Sequence, residues 1–127
     1  MGVVYYANYF VWFEVGRVEL MRSLGFEYRE LEEQDQCFLP VVEANCRYKA
    51  PARYDDVLTL ETRVLNQRTS MIRFGYRLLR DMPDAASVLL AEGETVHVVC
   101  DDQLKRKALP EHYAAALRKL MPERRAH

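Results

Sequence analysis

From Asn8 to Leu24 the chain reads NYFVWFEVGRVELMRSL, and the first half of this segment is apolar on almost every side. Tyr9, Phe10, Phe13, Leu20, Met21 and Leu24 recur at the i, i+3, i+4 spacing of a helix, while Val11, Trp12 and Val15 fill the faces between them. A helix of this kind cannot rest on a surface with one side wet, so other elements are expected to enclose it. Gly25 supplies a stop just beyond its end. Gly16, in mid-helix, costs about 1 kcal/mol against alanine, and such a glycine marks a place where a sheet is expected to press close.

After a polar stretch from Glu27 to Gln36, which suits a short exposed helix, the hydrophobic period changes from 3.6 to 2. Phe38, Val42, Ala44, Cys46 and Tyr48 alternate with Glu43, Asn45 and Arg47; Leu58, Leu60, Thr62 and Val64 alternate with Thr59, Glu61 and Arg63. Ile72, Phe74, Tyr76 and Leu78 repeat the pattern, and a last strand runs from about Val88 to Cys100. Each strand is expected to have one dry face. The polar connection Asn66 to Thr69 and the turn Asp81-Met82-Pro83-Asp84 make the last three strands an antiparallel meander. Pro110 opens a C-terminal helix with Tyr113, Leu117, Leu120 and Met121 as its apolar stripe and basic residues in its tail. One long helix wrapped by a curved antiparallel sheet is an α+β architecture, expected as a single domain over residues 1–127.

Composition narrows the function. Eighteen basic and nineteen acidic side chains nearly cancel, which removes any overall electrostatic case for nucleic acid. No apolar run has the length of a transmembrane helix and the start has no signal-peptide order, so a cytoplasmic location is expected. Cys37, Cys46 and Cys100 stand in apolar segments and read as buried thiols; with the scattered His97, His112 and His127 they give no metal-binding spacing, and no metal is expected.

Two ordered motifs carry a specific likeness. Gly2-Val3-Val4-Tyr5-Tyr6-Ala7-Asn8-Tyr9, followed by Phe13-Glu14-x-x-Arg17 and Gly25, resembles the 4-hydroxybenzoyl-CoA thioesterase group of hotdog-fold proteins. Tyr48-Lys49-Ala50-Pro51-Ala52-Arg53-Tyr54-Asp55-Asp56 looks like the Y-x-x-P-A-R-x-x-D segment of its Tol-Pal-associated branch, and Arg68-Thr69-Ser70 and Lys105 to Pro110 extend the likeness along the chain. The resemblance implies a hotdog fold and hydrolysis of an acyl-CoA thioester to free acid and coenzyme A, with coenzyme A entering only as part of the substrate. It also implies a catalytic aspartate in a D-x-x-G turn after an initial strand. Here Gly2 follows only Met1, so both are expected upstream of Met1; a start assigned at an internal methionine is favoured over a natural truncation or a fragment.

Thioester hydrolysis needs a carboxylate and donors aimed at the developing oxyanion. The resemblance assigns the donors to the start of the long helix, around Tyr5 and Tyr6, where free amides and the dipole converge. Asn8 joins them as a polar side chain that also suits a helix cap. Tyr9 and Trp12 would line the acyl group, although both also read as core. Arg53, Arg68, Lys105, Arg106 and Lys107 are the candidates for the phosphates of coenzyme A; Lys105-Arg106-Lys107 also reads as a solvated loop. Glu14 and Arg17 at i, i+3 suit an ion pair, Glu43 faces solvent, Asp55 and Asp56 suit turn capping, and His97 a satisfied structural histidine. Four strands cannot cover so apolar a helix, so a homodimer with a continuous sheet is expected, and the resemblance adds a homotetramer. The alternatives are an acyl-CoA or acyl-carrier binding protein without hydrolysis and, less favoured, a hotdog dehydratase.

Overall fold

A computed structural model describes residues 7–122. The elements run α1 (Asn8–Ser23), α2 (Tyr28–Glu33), β1 (Val41–Tyr48), β2 (Leu58–Arg68), β3 (Met71–Arg80), β4 (Val88–Val98) and α3 (Glu111–Arg118). The four strands form one antiparallel sheet in the order β1-β4-β3-β2, so the expected meander of β2, β3 and β4 is present and β1 joins it beside β4.

The long helix ends as its sequence dictates. Gly25 takes φ 82°, and the Gly25 and Phe26 amides donate to the Arg22 and Met21 carbonyls in a Schellman closure that only a residue free of Cβ strain adopts cheaply. At the other end the helix begins one residue earlier than a capping asparagine would require: Ala7 is the N-cap, without a side-chain cap bond, and Asn8 is the first helical residue. The Asn8 cap is therefore not formed.

Packing explains Gly16. It is buried, and a Cβ placed there would lie 2.3 Å from Thr62 Oγ1 and 2.6 Å from Leu60 Cδ2, so β2 does press on the helix at this turn. Gly16→Ala is expected to destabilise the fold by about 1–2 kcal/mol, because overpacking outweighs the gain in helix propensity. A thermal unfolding midpoint equal to or above that of the unmodified chain would contradict this.

The core forms on the inward face of the sheet, where Val64, Ile72, Phe74 and Tyr76 are buried under Phe13 and Met21. Leu31 from α2 and Tyr113, Ala114 and Leu117 from α3 close its far end. A smaller cluster of Tyr9, Ala52, Leu78, Leu90 and Ala91 lies under the first turn of α1. Cys37 and Cys100 are buried thiols, whereas Cys46 is half-buried.

Four expectations need correction. β1 has no dry face: along Val41–Tyr48 only Cys46 is even half-buried, because α1 packs mainly over β2 and β3 and meets β1 chiefly at its end, where the Tyr9 ring lies against Tyr48. For the same reason the helix is not fully enclosed, with Val11 55% and Val15 54% exposed on its open side. The β2–β3 turn is Thr69-Ser70 alone; a bulge between Val64 and Asn66 lets the ladder run on through Arg68. Leu120 lies beyond the end of α3 and is exposed, so the apolar stripe of that helix is Tyr113, Ala114 and Leu117.

Candidate active site

Tyr5 and Tyr6 lie outside the described residues. What is described around them is the start of α1 and the segment it sits on. Asn8 is exposed, whereas Tyr9 is buried, with its ring 5.2 Å from Trp12 in a stacked arrangement and 4.9 Å from Tyr48. The Tyr9 hydroxyl accepts a hydrogen bond from the Ala52 amide at 3.3 Å, which ties the first turn of the helix to the Pro-Ala-Arg segment between β1 and β2. That segment is itself held from both sides. The Lys49 and Ala50 amides donate to Leu90 O, and the Arg53 amide donates to Asp56 Oδ2 at 2.8 Å. Asp56 is thus a turn cap, as its position in the sequence suggests, and the Arg53 amide, followed by the Arg80 guanidinium, holds its carboxyl below the usual carboxylate range.

The five basic candidates do not gather in one place. Arg53 sits with the helix start, at the end of the sheet where β1 finishes and β2 begins. Arg68, at the finish of β2, lies at the other end, and the eleven residues of that strand put about 35 Å between the two ends. The Lys105–Leu109 segment joins Arg68 there, through Leu109 N to Thr69 O and Lys107 N to Val99 O. Arg106 rests on Ser70, with Nη2 3.0 Å from its hydroxyl. The Lys107 ammonium donates to the carbonyls of Asp35 and Gln36, so part of its donor capacity is structural, while Arg68 and Lys105 are exposed.

A second polar group, beneath the middle of α1, has no single sequence motif behind it. His97 is 1% exposed; its Nδ1 lies 2.9 Å from Leu39 O and its Nε2 2.9 Å from Thr95 Oγ1, which in turn lies 2.7 Å from the Tyr76 hydroxyl. Because the Leu39 carbonyl can only accept, Nδ1 carries the proton, and in the neutral ring Nε2 then accepts from Thr95, which accepts from Tyr76. The chain of donors is complete without a charge on the imidazole. Burial is the main reason that His97 titrates below the ordinary histidine range, with the Arg17 cation pushing the same way and the bond to Leu39 opposing. His97 is a satisfied structural residue, as expected. Glu14 and Arg17 do not form the expected ion pair among the described residues; Arg17 turns instead toward Tyr28 and Tyr76. Tyr28 is pushed up to about 12, chiefly by burial, with Arg17 opposing.

The clefts of the described residues lie away from the helix start. One of about 590 Å³ crosses the outer face of the sheet between Arg47, Arg63, Arg77, Glu92 and Glu94, and one of about 540 Å³ opens between α1 and α2 beside Glu14, Arg17 and Tyr28. Neither brings a carboxylate and backbone donors together at the start of a helix, and the first turn of α1 carries no acidic residue. Among the described residues, then, the chain contributes an apolar floor, an aromatic wall and a helix start.

The family model described as the thioesterase superfamily matches residues 1–86. The acyl-CoA thioester hydrolase YbgC of Escherichia coli is 36% identical over 116 residues, covering 90% of this chain and 82% of that one. The acyl-CoA thioesterase YbgC of Haemophilus influenzae is 35% identical over 121 residues, covering 94% and 85%. Among solved structures, the Thermus thermophilus protein TT1821 superposes with a TM-score of 0.83 at 34% identity, covering 97% of this chain and 88% of that one. Since the matched region takes in α1, the Pro-Ala-Arg segment and the strands that hold them, the chain belongs to the thioesterase superfamily and has its hotdog fold.

Proposed function

We propose that the protein is an acyl-CoA thioesterase, and we place it with the Tol-Pal-associated branch on its Tyr48 to Asp56 segment. The observation that carries the reading is the seating of the start of α1 on Ala52, which sets the amide end of the helix beside an apolar, aromatic-lined floor. Such amides suit an oxyanion, and the apolar floor suits an acyl group. Asn8, Tyr9 and Trp12 belong to this reaction end; Tyr5 and Tyr6, outside the described residues, are assigned to it by the resemblance alone. The outer edge of β2 has no strand partner among the described residues.

A second copy completes the site. Val11 and Val15 are exposed on α1, Val41 and Val42 are exposed on β1, and β1 forms one flank of the sheet as an edge strand. Pairing β1 antiparallel with β1 of a second copy covers that flank and brings the partner copy's cationic end to this chain's helix start. Arg68, Lys105 and Arg106 of one chain then face the phosphates of a coenzyme A whose acyl group lies on the other, with Arg53 contributed locally and Lys107 supporting the loop. A homodimer follows, and the homotetramer is a pair of such dimers. Coenzyme A esters as substrates imply a cytoplasmic site of action; no helix of the described residues is long and apolar enough to cross a membrane.

The absence of an acidic side chain from the first turn of α1 favours one second reading, an acyl-CoA binding protein without hydrolysis. Thiol release from a panel of acyl-CoAs decides between them, measured on the chain as given and on a version extended upstream in its own reading frame. Turnover by the extended form alone, abolished by an aspartate-to-asparagine change upstream, is the expected result. Binding of coenzyme A esters by both forms with hydrolysis by neither would replace the enzyme with the binding protein.

A further inference from the structure

The segment from Lys49 to Val57 has neither helix nor strand, only a single bridge residue at Arg53, yet it carries the floor under Tyr9. Its fixed point is Arg80. This residue closes β3 opposite Leu58, on the parity that Ile72, Phe74, Tyr76 and Leu78 use to face the core. An arginine at an inward position has to be matched, and here it is: Nη2 donates to Pro51 O at 2.6 Å and Nε to Asp56 Oδ2 at 3.0 Å. The pair is well shielded, with side chains 24% and 16% exposed, unlike the outward pairs Arg77–Glu61 and Lys49–Glu92. Between the two bonded positions lies Ala52, fully buried, whose amide holds the Tyr9 hydroxyl.

The geometry points to Arg80 as a positioning residue for the acyl-binding floor: through Pro51 and Asp56 it fixes Ala52, and through Ala52 it fixes the Tyr9 ring and the space beside Trp12. The inference rests on the acyl-CoA reading above. Two donors in one rigid plane, aimed at a carbonyl and at a carboxylate, are what a guanidinium supplies and an ammonium does not. Arg80→Lys therefore keeps the charge and loses the geometry. With the floor loosened, Tyr9 is no longer held at one depth, and discrimination by acyl length should relax; the nucleotide end, where Arg53 of this segment is one cation among several, should be affected less.

The test is the affinity of the chain for non-hydrolysable S-butyl, S-octyl and S-dodecyl coenzyme A thioethers and for coenzyme A itself, by calorimetry, which needs no turnover. Arg80→Lys is expected to weaken the best-bound thioether about fivefold to tenfold, to leave coenzyme A within about twofold, and so to flatten the length profile. Asp56→Asn should change the profile in the same direction, and serves where the first variant fails to fold; cooperative thermal unfolding is checked for each. Arg77→Lys, on the outer face, should leave every affinity unchanged. An unaltered profile in either cooperatively folded variant, or equal weakening of all four ligands, would overturn the inference. Failure of the unmodified chain to bind any thioether more tightly than coenzyme A would bring down the acyl-CoA reading itself, and this inference with it; that outcome is visible before any variant is made.

Discussion

Phe13→Ala is expected to lower the free energy of unfolding by about 3–5 kcal/mol, the largest loss of any single truncation argued for this protein. Phe13 is fully buried at the crossing of α1 and the sheet, stacked on Tyr76 with ring centroids 4.3 Å apart and planes 7° from parallel, and edge-on to Phe10. The sheet is shaped to receive it. Gly93 lies beneath the ring, and a Cβ there would stand 2.8 Å from Phe13 Cε2 and 2.4 Å from the Asn45 carbonyl oxygen. A cavity left at this crossing is bounded by strand backbone on one side and helix on the other, so it cannot collapse cheaply. Domains of ordinary stability have about 5–15 kcal/mol in total, and the variant should be near the edge of folding at room temperature. Urea unfolding followed through Trp12, the single tryptophan, measures it; a loss below about 1.5 kcal/mol would mean that the helix and the sheet close the gap together.

The same crossing shows how much of the fold could be read in advance. Period 3.6 giving way to period 2 fixes one helix and a sheet, and the glycine in mid-helix marks where they meet, because each signal reports burial that one chain supplies by itself. β1 was misjudged for the opposite reason. Alternation in Val42, Ala44, Cys46 and Tyr48 reports burial too, but among the described residues that face is covered only in part, at Cys46 and by the Tyr9 ring against Tyr48. The β2–β3 connection was placed too early because Asn66 and Gln67 look like turn residues, whereas a bulge at Leu65 carries them in the ladder. The site was legible where it coincided with motif residues, as at Asp56, and illegible where it depends on a residue brought in from another strand. Arg80 belongs to no motif; its one signal was an arginine at an inward parity at the end of β3, opposite a segment that begins with proline and alanine. Likewise Thr95 and His97 are neighbours on one face of β4, but only the register of β3 on β4 brings the Tyr76 hydroxyl to them.

That register makes stability depend on pH in a defined direction. His97 is neutral in the folded chain and titrates below its ordinary value of 6.5, mainly because it is buried. Protonation would place a hydrogen on Nε2, reverse the Thr95 and Tyr76 hydroxyls, and leave the Tyr76 proton directed at the Arg17 cation. The unfolded chain takes up that proton at about pH 6.5 while the folded chain does not, so the unfolded state binds more protons and gains ground as pH falls. The stability that His97 contributes is present in full above about pH 6.5 and is lost below it, at up to about 1.4 kcal/mol for each pH unit, until the folded-state value is reached. Asp56 and Asp101 also have depressed values, but their contributions begin to be lost only as pH falls into the carboxylate range, so a loss that begins near pH 6.5 is not theirs. His97→Leu is expected to cost about 1–3 kcal/mol at neutral pH, by leaving the Leu39 carbonyl and the Thr95 hydroxyl short of a partner, and to flatten the slope between pH 7 and pH 5. Urea midpoints at several pH values across that range give both quantities. Parallel slopes for the unmodified chain and the variant would show that the imidazole keeps its ordinary proton affinity, and the donor chain from Tyr76 to Leu39 would then have to run in the other direction.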